Sequence, residues 1–371
     1  MGAMRKIGVI STSEYLQTLL PVLKCLEYDI RALWTRKVEE TVPIAAKFEI
    51  PFAASEPSEL LLRKDVEIVV VYGCPWLHSQ LVVSSLGIGK HVICGSPLAL
   101  STVEAGKLLE ASDYYPQLLA LAGLGLHHKP VFVELFRLLR LGWIGAVCAI
   151  DVRIICPYLL SGCSYNWLCD SQSGGGVLHL IGSHVVDLLT RLTGSRILSV
   201  YGDARTCVSQ TEKIDGIRKI TADDYAMFML KFQSGISAAV SITSLRPTDS
   251  RTMEFEMTLT GTDGHLRVVN NQLYGRQKNC TSEESLMEEK EDEFSDLPDV
   301  LGLNYISSGF FHLLKNLVDV MNSDESNKNS LLISPNKLKD FATVKDGFYV
   351  YNVIHALKKC SVLGGGEQTL M

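Results

Sequence analysis

The sequence predicts a two-domain α/β protein, with a doubly wound parallel sheet first and an α+β domain built on a large, mostly antiparallel sheet after it. Three observations carry this. The chain has 371 residues, too many for one ordinary core. Short apolar runs alternate with helical spacing over roughly the first 120 residues, the rhythm of parallel strands joined by crossover helices. Beyond about residue 125 that rhythm gives way to period-two runs separated by turn residues. The expected domains are 1–123 and 124–371, and the C-terminal helix can pack back on the first domain.

In order, Ile7–Ile10 is a first strand and Glu14–Lys24 a helix with Leu16, Leu19, Leu20 and Leu23 on one face. Tyr28–Trp34 is the second strand, and a helix follows through Val38–Phe48. A short helix from Pro57 leads into Val66–Tyr72, whose continuous branched residues mark a strand covered on both faces. Helix 77–86, strand His91–Cys94, a helix opened by the Ser101/Glu104 capping box, and strand Gln117–Leu121 complete the first domain. In the second, a helix over Pro130–Leu141 precedes strands at Val147–Ile155, Val200–Cys207, Tyr225–Phe232, Ile236–Thr243, Glu254–Thr260 and His265–Val269. A helix over Val177–Leu192 interrupts them, Thr281–Asp299 reads as an exposed acidic loop, and helices at 305–321 and 336–360 end the chain.

Composition narrows the function. Hydrophobic residues make up 47% and charged residues 20%, which allows a large core and excludes global disorder. A net charge of −6 leaves no basic surplus for nucleic acid. The ten cysteines form no CxxC pair and sit largely in apolar runs, as buried thiols of a reducing compartment do. Cys156, Cys163 and Cys169 cluster loosely; a metal or a disulfide there is the alternative reading, and no metal site is assigned. The opening run Arg5–Ile10 is too short for a signal-peptide core, and Leu118–Leu126 is too short to span a bilayer, so the expected location is cytoplasmic with no membrane partner. Asn279-Cys280-Thr281 fits a glycosylation triplet, which matters only on a secretory route.

A dinucleotide-binding Rossmann turn after strand one normally reads G-x-G-x-x-G. Here it reads Ser11-Thr12-Ser13-Glu14-Tyr15-Leu16. All three glycines are gone, and Glu14 brings a negative charge to the helix start. Yet Ser11, Thr12 and Ser13 supply hydroxyl donors, and a helix N-terminus attracts anions. The loop is either a modified phosphate site or one that has stopped binding nucleotide. Strand two ends in Trp34-Thr35-Arg36-Lys37, where NAD sites place Asp or Glu for the ribose. Arg36 pairs with a 2′-phosphate and stacks on adenine, so NADP(H) is expected over NAD(H) if a cofactor binds at all.

Asp65-Val66-Glu67-Ile68-Val69-Val70-Val71, then Pro75 and His78, then the run from Gly87 to Ala99 resemble the Gfo/Idh/MocA oxidoreductase family. The family forms are a D-x-D-x-V strand, a T-P-N-x-x-x-H-like loop and A-G-K-H-V-x-x-E-K-P-L-A. Gly174-Gly175-Gly176-Val177-Leu178, continuing through Gly182, His184 and Asp187, resembles its G-G-G-x-L-x-D-x-G-x-H-x-x-D helix, and Asp346-Gly347 its ending. Within the family, Leu86–Lys90, Tyr114-Tyr115-Pro116, Ser164–Trp167, Leu188–Gly194 and Gly216–Thr221 are similar to the animal branch of glucose–fructose oxidoreductase domain-containing proteins.

The resemblance implies hydride transfer on a carbonyl or sugar-like hydroxyl. It puts Pro75, His78, Gly95 and Pro97 beside the cofactor and Tyr165, Asn166 and Trp167 on a substrate-facing loop, where Trp167 can stack on a ring. It also implies a homodimer through the open face of the C-terminal sheet. The departures bear on catalysis. Ser96 replaces the lysine of E-K-P, and Leu180 replaces the aspartate paired with the histidine. A serine at its ordinary pKa is no acid or base at neutral pH without a helper. His184 survives as an acid/base candidate, with core packing as its alternative role. Lys129, beside His127 and His128, is the candidate substitute for the lost lysine. Three functions therefore stand, in this order: an NADP(H)-linked oxidoreductase of altered chemistry acting on a small molecule; a catalytically inactive nucleotide-sensing or structural pseudo-oxidoreductase; and last a secreted matrix-associated protein, against which the short opening run and the unpaired cysteines argue.

Overall fold

A computed structural model describes residues 5–73, 75–157, 165–210, 219–245, 253–287, 293–294, 297, 303–323 and 335–370. Cys74, Cys163, Ser164, Gly216–Arg218 and, in the acidic segment, 288–292, 295–296 and 298–299 lie outside the described residues. The chain forms two compact units, residues 1–125 with 310–351, and residues 126–309 with 352–371.

The first unit holds a six-stranded parallel sheet in the order β3-β2-β1-β4-β5-β6. Its strands are β1 (Lys6–Ser11), β2 (Asp29–Trp34), β3 (Ala53–Ala54), β4 (Ile68–Tyr72), β5 (His91–Cys94) and β6 (Ala120–Ala122). The helices α1 (Ser13–Cys25), α2 (Val38–Lys47), α3 (Pro57–Leu61), α4 (Pro75–Gly87) and α5 (Thr102–Tyr114) alternate with them as the periodicity predicts. Ile68, Val69, Val70 and Val71 are fully buried, which is why that strand reads as an unbroken apolar run. The predicted capping box is present: Glu104 N donates to Ser101 Oγ (3.2 Å), and Leu100 N donates to Glu104 Oε2 (2.8 Å). Strand order reverses between β1 and β4, where Ser11 pairs with Tyr72.

The second unit carries a nine-stranded sheet in the order β14-β13-β12-β11-β7-β10-β9-β8-β15. Its strands are β7 (Val147–Ile155), β8 (Ile197–Arg205), β9 (Tyr225–Phe232), β10 (Ser237–Thr243), β11 (Glu254–Gly261), β12 (Gly264–Val269), β13 (Gln272–Gln277), β14 (Glu284–Ser285) and β15 (Gln368–Thr369). Among the described residues of this sheet, only β7 and β10 pair in parallel. Along β9, Ala226, Phe228, Leu230 and Phe232 are buried while Met227 and Met229 are exposed, so one face is covered and the other open. Helix α6 (Pro130–Arg140) begins with proline at its first turn, where the missing N–H costs nothing.

Three expectations change. The helix expected at 336–360 starts later, as α9 (Val344–Val362), after a 3₁₀ turn at Pro335–Leu338. Between them the chain is extended: Ala122 N donates to the Ala342 carbonyl (2.8 Å) and Thr343 bridges Leu121. Thr343 then caps α9 by accepting from Asp346 N, while Thr343 N donates to Asp346 Oδ2 (2.8 Å). The helix expected over Val177–Leu192 opens with a π-helical turn at Leu178–Gly182 and becomes α7 (Ser183–Thr193) after it. Ser183 Oγ donates to the His179 carbonyl (2.6 Å) and competes with the ordinary helix ladder there. Finally, β13, β14 and β15 extend the sheet beyond the six strands expected.

Phe255 anchors the covered face of the second sheet. Its ring meets Phe132 edge-on at 5.5 Å and stacks on Tyr305 at 5.2 Å. Replacing Phe255 with Ala is expected to cost about 3–5 kcal/mol, and with Leu clearly less. Urea unfolding of the two variants measures this, and equal losses would contradict a cavity origin.

Candidate functional site

Two sets of candidate residues exist, one in each unit. In the first unit they gather at the carboxyl ends of the strands, the edge on which open α/β sheets bind ligands. Thr12 is the N-cap of α1 but makes no capping hydrogen bond, and its buried Oγ1 has no hydrogen-bond partner among the described residues. The first amides of α1 therefore lack a side-chain cap from Thr12. Ser11 is fully buried, and its hydroxyl donates to the Thr12 carbonyl (3.4 Å). Ser13 reaches the Glu40 carboxylate, which Lys37 first and Ser13 next hold below the usual carboxylate range.

The turn after β2 is fixed by its own hydroxyls. Thr35 Oγ1 donates to the Lys37 carbonyl (2.9 Å) and lies 2.6 Å from Thr41 Oγ1. From this turn the exposed Arg36 stands over the Trp76 ring, 5.8 Å from its centroid. Trp76 belongs to the first turn of α4, directly after Pro75. It was not among the predicted residues, although its place in the Pro75 loop was the available signal.

Gly95, Ser96 and Pro97 follow β5. The Ser96–Pro97 peptide is cis, and the Pro97 carbonyl accepts a hydrogen bond from His78 Nδ1 (2.7 Å). His78 is fully buried, and burial pushes its imidazole down to about 4, so it is neutral at physiological pH. It braces α4 against the loop after β5.

The second unit brings together a buried polar cluster. His127 Nδ1 donates to Asp187 Oδ2 (2.9 Å), and Arg191 Nε donates to Asp187 Oδ1 (3.0 Å). Burial pushes the Asp187 carboxyl up, but His127 and Arg191 together outweigh it and hold the group below its usual range. His184 is 4% exposed; burial, against the pull of Asp187, pushes it down to about 4. Its buried Nδ1 has no hydrogen-bond partner among the described residues. Leu180, at the position of the family aspartate, is buried too.

Lys129 is 1% exposed, donates from Nζ to Ser308 Oγ (2.9 Å), and lies over the Tyr305 ring at 4.3 Å. Its charge is thus committed to a hydroxyl and a ring face. In the Tyr165–Trp167 segment, Asn166 Oδ1 accepts from Leu168 N (2.9 Å) and caps a short 3₁₀ turn.

A second buried group escaped the sequence reading. Lys358 Nζ lies 3.3 Å from His179 Nδ1, and burial lowers Lys358 and raises Asp223. Asp223 Oδ2 accepts from Leu178 N (2.7 Å) at the start of the π turn. Gly176 (φ +104°) is obligatory beside it, because a Cβ there would stand 2.4 Å from Asp223 Oδ1. Nothing local in the sequence links Lys358 to His179.

A Rossmann-type parallel sheet joined to a broad antiparallel sheet defines an oxidoreductase-class architecture. Residues 5–121 match the family model of the oxidoreductase family with an NAD-binding Rossmann fold, and residues 132–267 match the GFO/IDH/MocA C-terminal domain. The chain belongs to the GFO/IDH/MocA oxidoreductase family. It is similar to glucose-fructose oxidoreductase domain-containing protein 2 of Xenopus laevis, with 35% identity over 366 residues, 97% of this chain and 92% of that protein. The Homo sapiens protein 2 is 33% identical over 365 residues, with the same coverage of 97% and 92%. Among solved structures, an oxidoreductase domain protein from Kribbella flavida shares the fold at TM-score 0.80 and 20% identity, with 100% of both chains covered. Levoglucosan dehydrogenase in complex with NADH and levoglucosan does so at TM-score 0.79 and 15% identity, covering 98% of this chain and 99% of that one. Among the described residues no helix is long and apolar enough to cross a membrane.

The buried histidines dictate a pH response. His78, His179 and His184 are held at about 4, 3 and 4, whereas unfolded histidines titrate near 6.5. Below pH 6.5 the unfolded chain takes up protons that the folded chain refuses. Stability is therefore full above that pH and falls as pH drops toward 4, by at most about 1.4 kcal/mol per pH unit for each histidine. Urea midpoints at pH 7.5 and pH 5.5 measure this; an unchanged midpoint would contradict neutral burial.

Proposed function

We propose that the protein is an NADP(H)-binding pseudo-oxidoreductase, which holds the nucleotide on its first unit without turning over a carbonyl or sugar-like hydroxyl. The observation that carries this reading is Arg36 over Trp76 at the end of β2. A guanidinium there recognises a 2′-phosphate, and an indole with a guanidinium forms a stacking pair for adenine. The uncapped start of α1 and the Thr12 hydroxyl suit the adjoining phosphates. NADP(H), when bound, would supply hydride chemistry.

Loss of turnover rests on the proton side. Leu180 has no acid/base capacity, and a serine such as Ser96 has none at neutral pH without a helper. Lys129 is committed to Ser308 and Tyr305. His184, near 4, is neutral and a weak base. One observation favours the second reading, a working oxidoreductase: the unpartnered Nδ1 of His184 can still accept a proton. In that case Tyr165, Asn166 and Trp167 would face the small-molecule substrate.

We further propose that a second copy of the chain covers the open face of the nine-stranded sheet. That face carries a groove of about 840 Å³. Tyr201, Met227 and Met229 are each more than half exposed there, bordered by Asp151, Arg153 and Glu256. Charges of both signs around an apolar centre suit a self-complementary two-fold interface. Four surface thiols, Cys25, Cys148, Cys207 and Cys280, support a cytoplasmic setting.

Titration with NADPH, with NADH as control, tests the nucleotide reading. Selective binding of NADPH is expected, and Arg36→Ala should weaken it by roughly 10- to 100-fold, the worth of a charged hydrogen bond. No binding of either nucleotide to folded protein would overturn it. Turnover in a carbonyl screen that His184→Ala abolishes would replace the pseudo-oxidoreductase reading with the second one. For assembly, light scattering should report a dimer that Met227→Glu with Met229→Glu converts to monomer; a native monomer would refute the interface.

A further inference from the structure

The strand-order reversal in the first unit is the place where a dinucleotide normally crosses the sheet edge. Here that place is filled by the chain's own rings. Tyr72, the last residue of β4, pairs in register with Ser11, the last residue of β1. Tyr15, on the first turn of α1, meets Tyr72 edge-on with ring centroids 5.0 Å apart. Phe310 stacks on Tyr72 from α8 (Asn304–Asn322), at 4.6 Å and 19° between planes. Tyr15 is 9% exposed and Phe310 is 1% exposed, while Tyr72 between them is half-buried, so the two ends of the column are packed and its middle borders the edge of the sheet.

The glycines that follow the strands make room for these rings, and Gly123 also for the backbone of Gly95. A Cβ on Gly73 would stand 2.3 Å from the Tyr15 ring, one on Gly95 2.9 Å from the Tyr72 ring, and one on Gly123 3.0 Å from the Phe310 ring. In a nucleotide-binding loop, glycines let the ligand approach the backbone closely. At these positions the freed space is taken by the protein's own rings and, at Gly123, by its own backbone too. The adenosine end is different, because Arg36 is exposed and its guanidinium stands over Trp76.

We propose that the Tyr15–Tyr72–Phe310 column closes the crevice to a nicotinamide ring, so that the first unit recognises the 2′-phosphorylated ADP-ribose part of NADP(H) and gives the nicotinamide no seat. This rests on the nucleotide reading above and deepens it, since a cofactor held by that part alone has no fixed hydride donor. Tyr15 is then the residue that sets specificity, being the ring on the phosphate loop itself.

The test compares NADP⁺ with 2′-phospho-ADP-ribose, which lacks only the nicotinamide, by calorimetry on the native chain. Equal affinities within about twofold are expected, less than half of the 1.4 kcal/mol that a tenfold difference represents. Bound NADPH should keep the fluorescence of a water-exposed nicotinamide. In Tyr15→Ala, and in the more conservative Tyr15→Ile, NADP⁺ should gain about tenfold over 2′-phospho-ADP-ribose. Tenfold tighter NADP⁺ binding by the native chain, with enhanced NADPH fluorescence, would overturn this inference alone and make the rings a nicotinamide seat. An unchanged affinity ratio in both variants, with circular dichroism showing them folded, would overturn it as well. Binding of neither ligand would remove the nucleotide reading and this inference together.

Discussion

Aromatic rings packed against bare backbone hold the functional edge of the first unit. Tyr15, Tyr72 and Phe310 lie against Gly73, Gly95 and Gly123, the residues that leave β4, β5 and β6. The contact distances leave no space for a Cβ: Gly73 and Gly95 are required by the Tyr15 and Tyr72 rings, and Gly123 by the Gly95 backbone as well as the Phe310 ring. Burying the Tyr15 and Phe310 rings contributes on the order of 1.5–3 kcal/mol each. The same contacts fix the first turn of α1 and the Phe310 end of α8, which Tyr28 also ties down by donating to the Leu314 carbonyl (3.1 Å). The course of the loops at this edge, and what it can bind, follow from that packing.

The second unit has a different constraint, which is a buried charge. Asp187 is 4% exposed and stays ionised because His127 and Arg191 both donate to it. A carboxylate so enclosed is tolerable only when paired and fully hydrogen-bonded. That arrangement consumes His127 and leaves His184 beside a satisfied carboxylate, driven neutral by burial. Lys129 is spent in the same way on Ser308 and Tyr305. The polar residues that family resemblance brings to mind as catalysts are thus largely engaged in supporting the fold, and the family relationship fixes architecture more firmly than chemistry.

Much of this was legible in the residues because the signals are local. Val66–Tyr72 announced a strand covered on both faces, Ser101 and Glu104 announced a helix start, and the alternation in Tyr225–Phe232 announced a sheet with one open face. Arg36 was legible because the end of β2 is a fixed place in such a sheet. Other features were hidden. The π turn at Leu178–Gly182 has the same apolar pattern as an α-helix, and β15 is two residues long and gains its identity only by pairing with β8. Trp76 was passed over because its role depends on Arg36 across the chain.

The sequence by itself determined the order and type of the main elements, the two-sheet architecture and the family, because hydrophobic period and turn chemistry act over a few residues at a time. It also determined that Ser96 and Leu180 stand where the family pattern has lysine and aspartate, since both are simply read off. Tertiary structure alone decided what fills the sheet edge and what the remaining polar groups do. Tyr15, Tyr72 and Phe310 become one column, and Lys358 and His179 one pair, only when distant segments pack together. The physical reason is that burial and pairing, which set both occupancy and protonation, are properties of the neighbours a side chain meets in space.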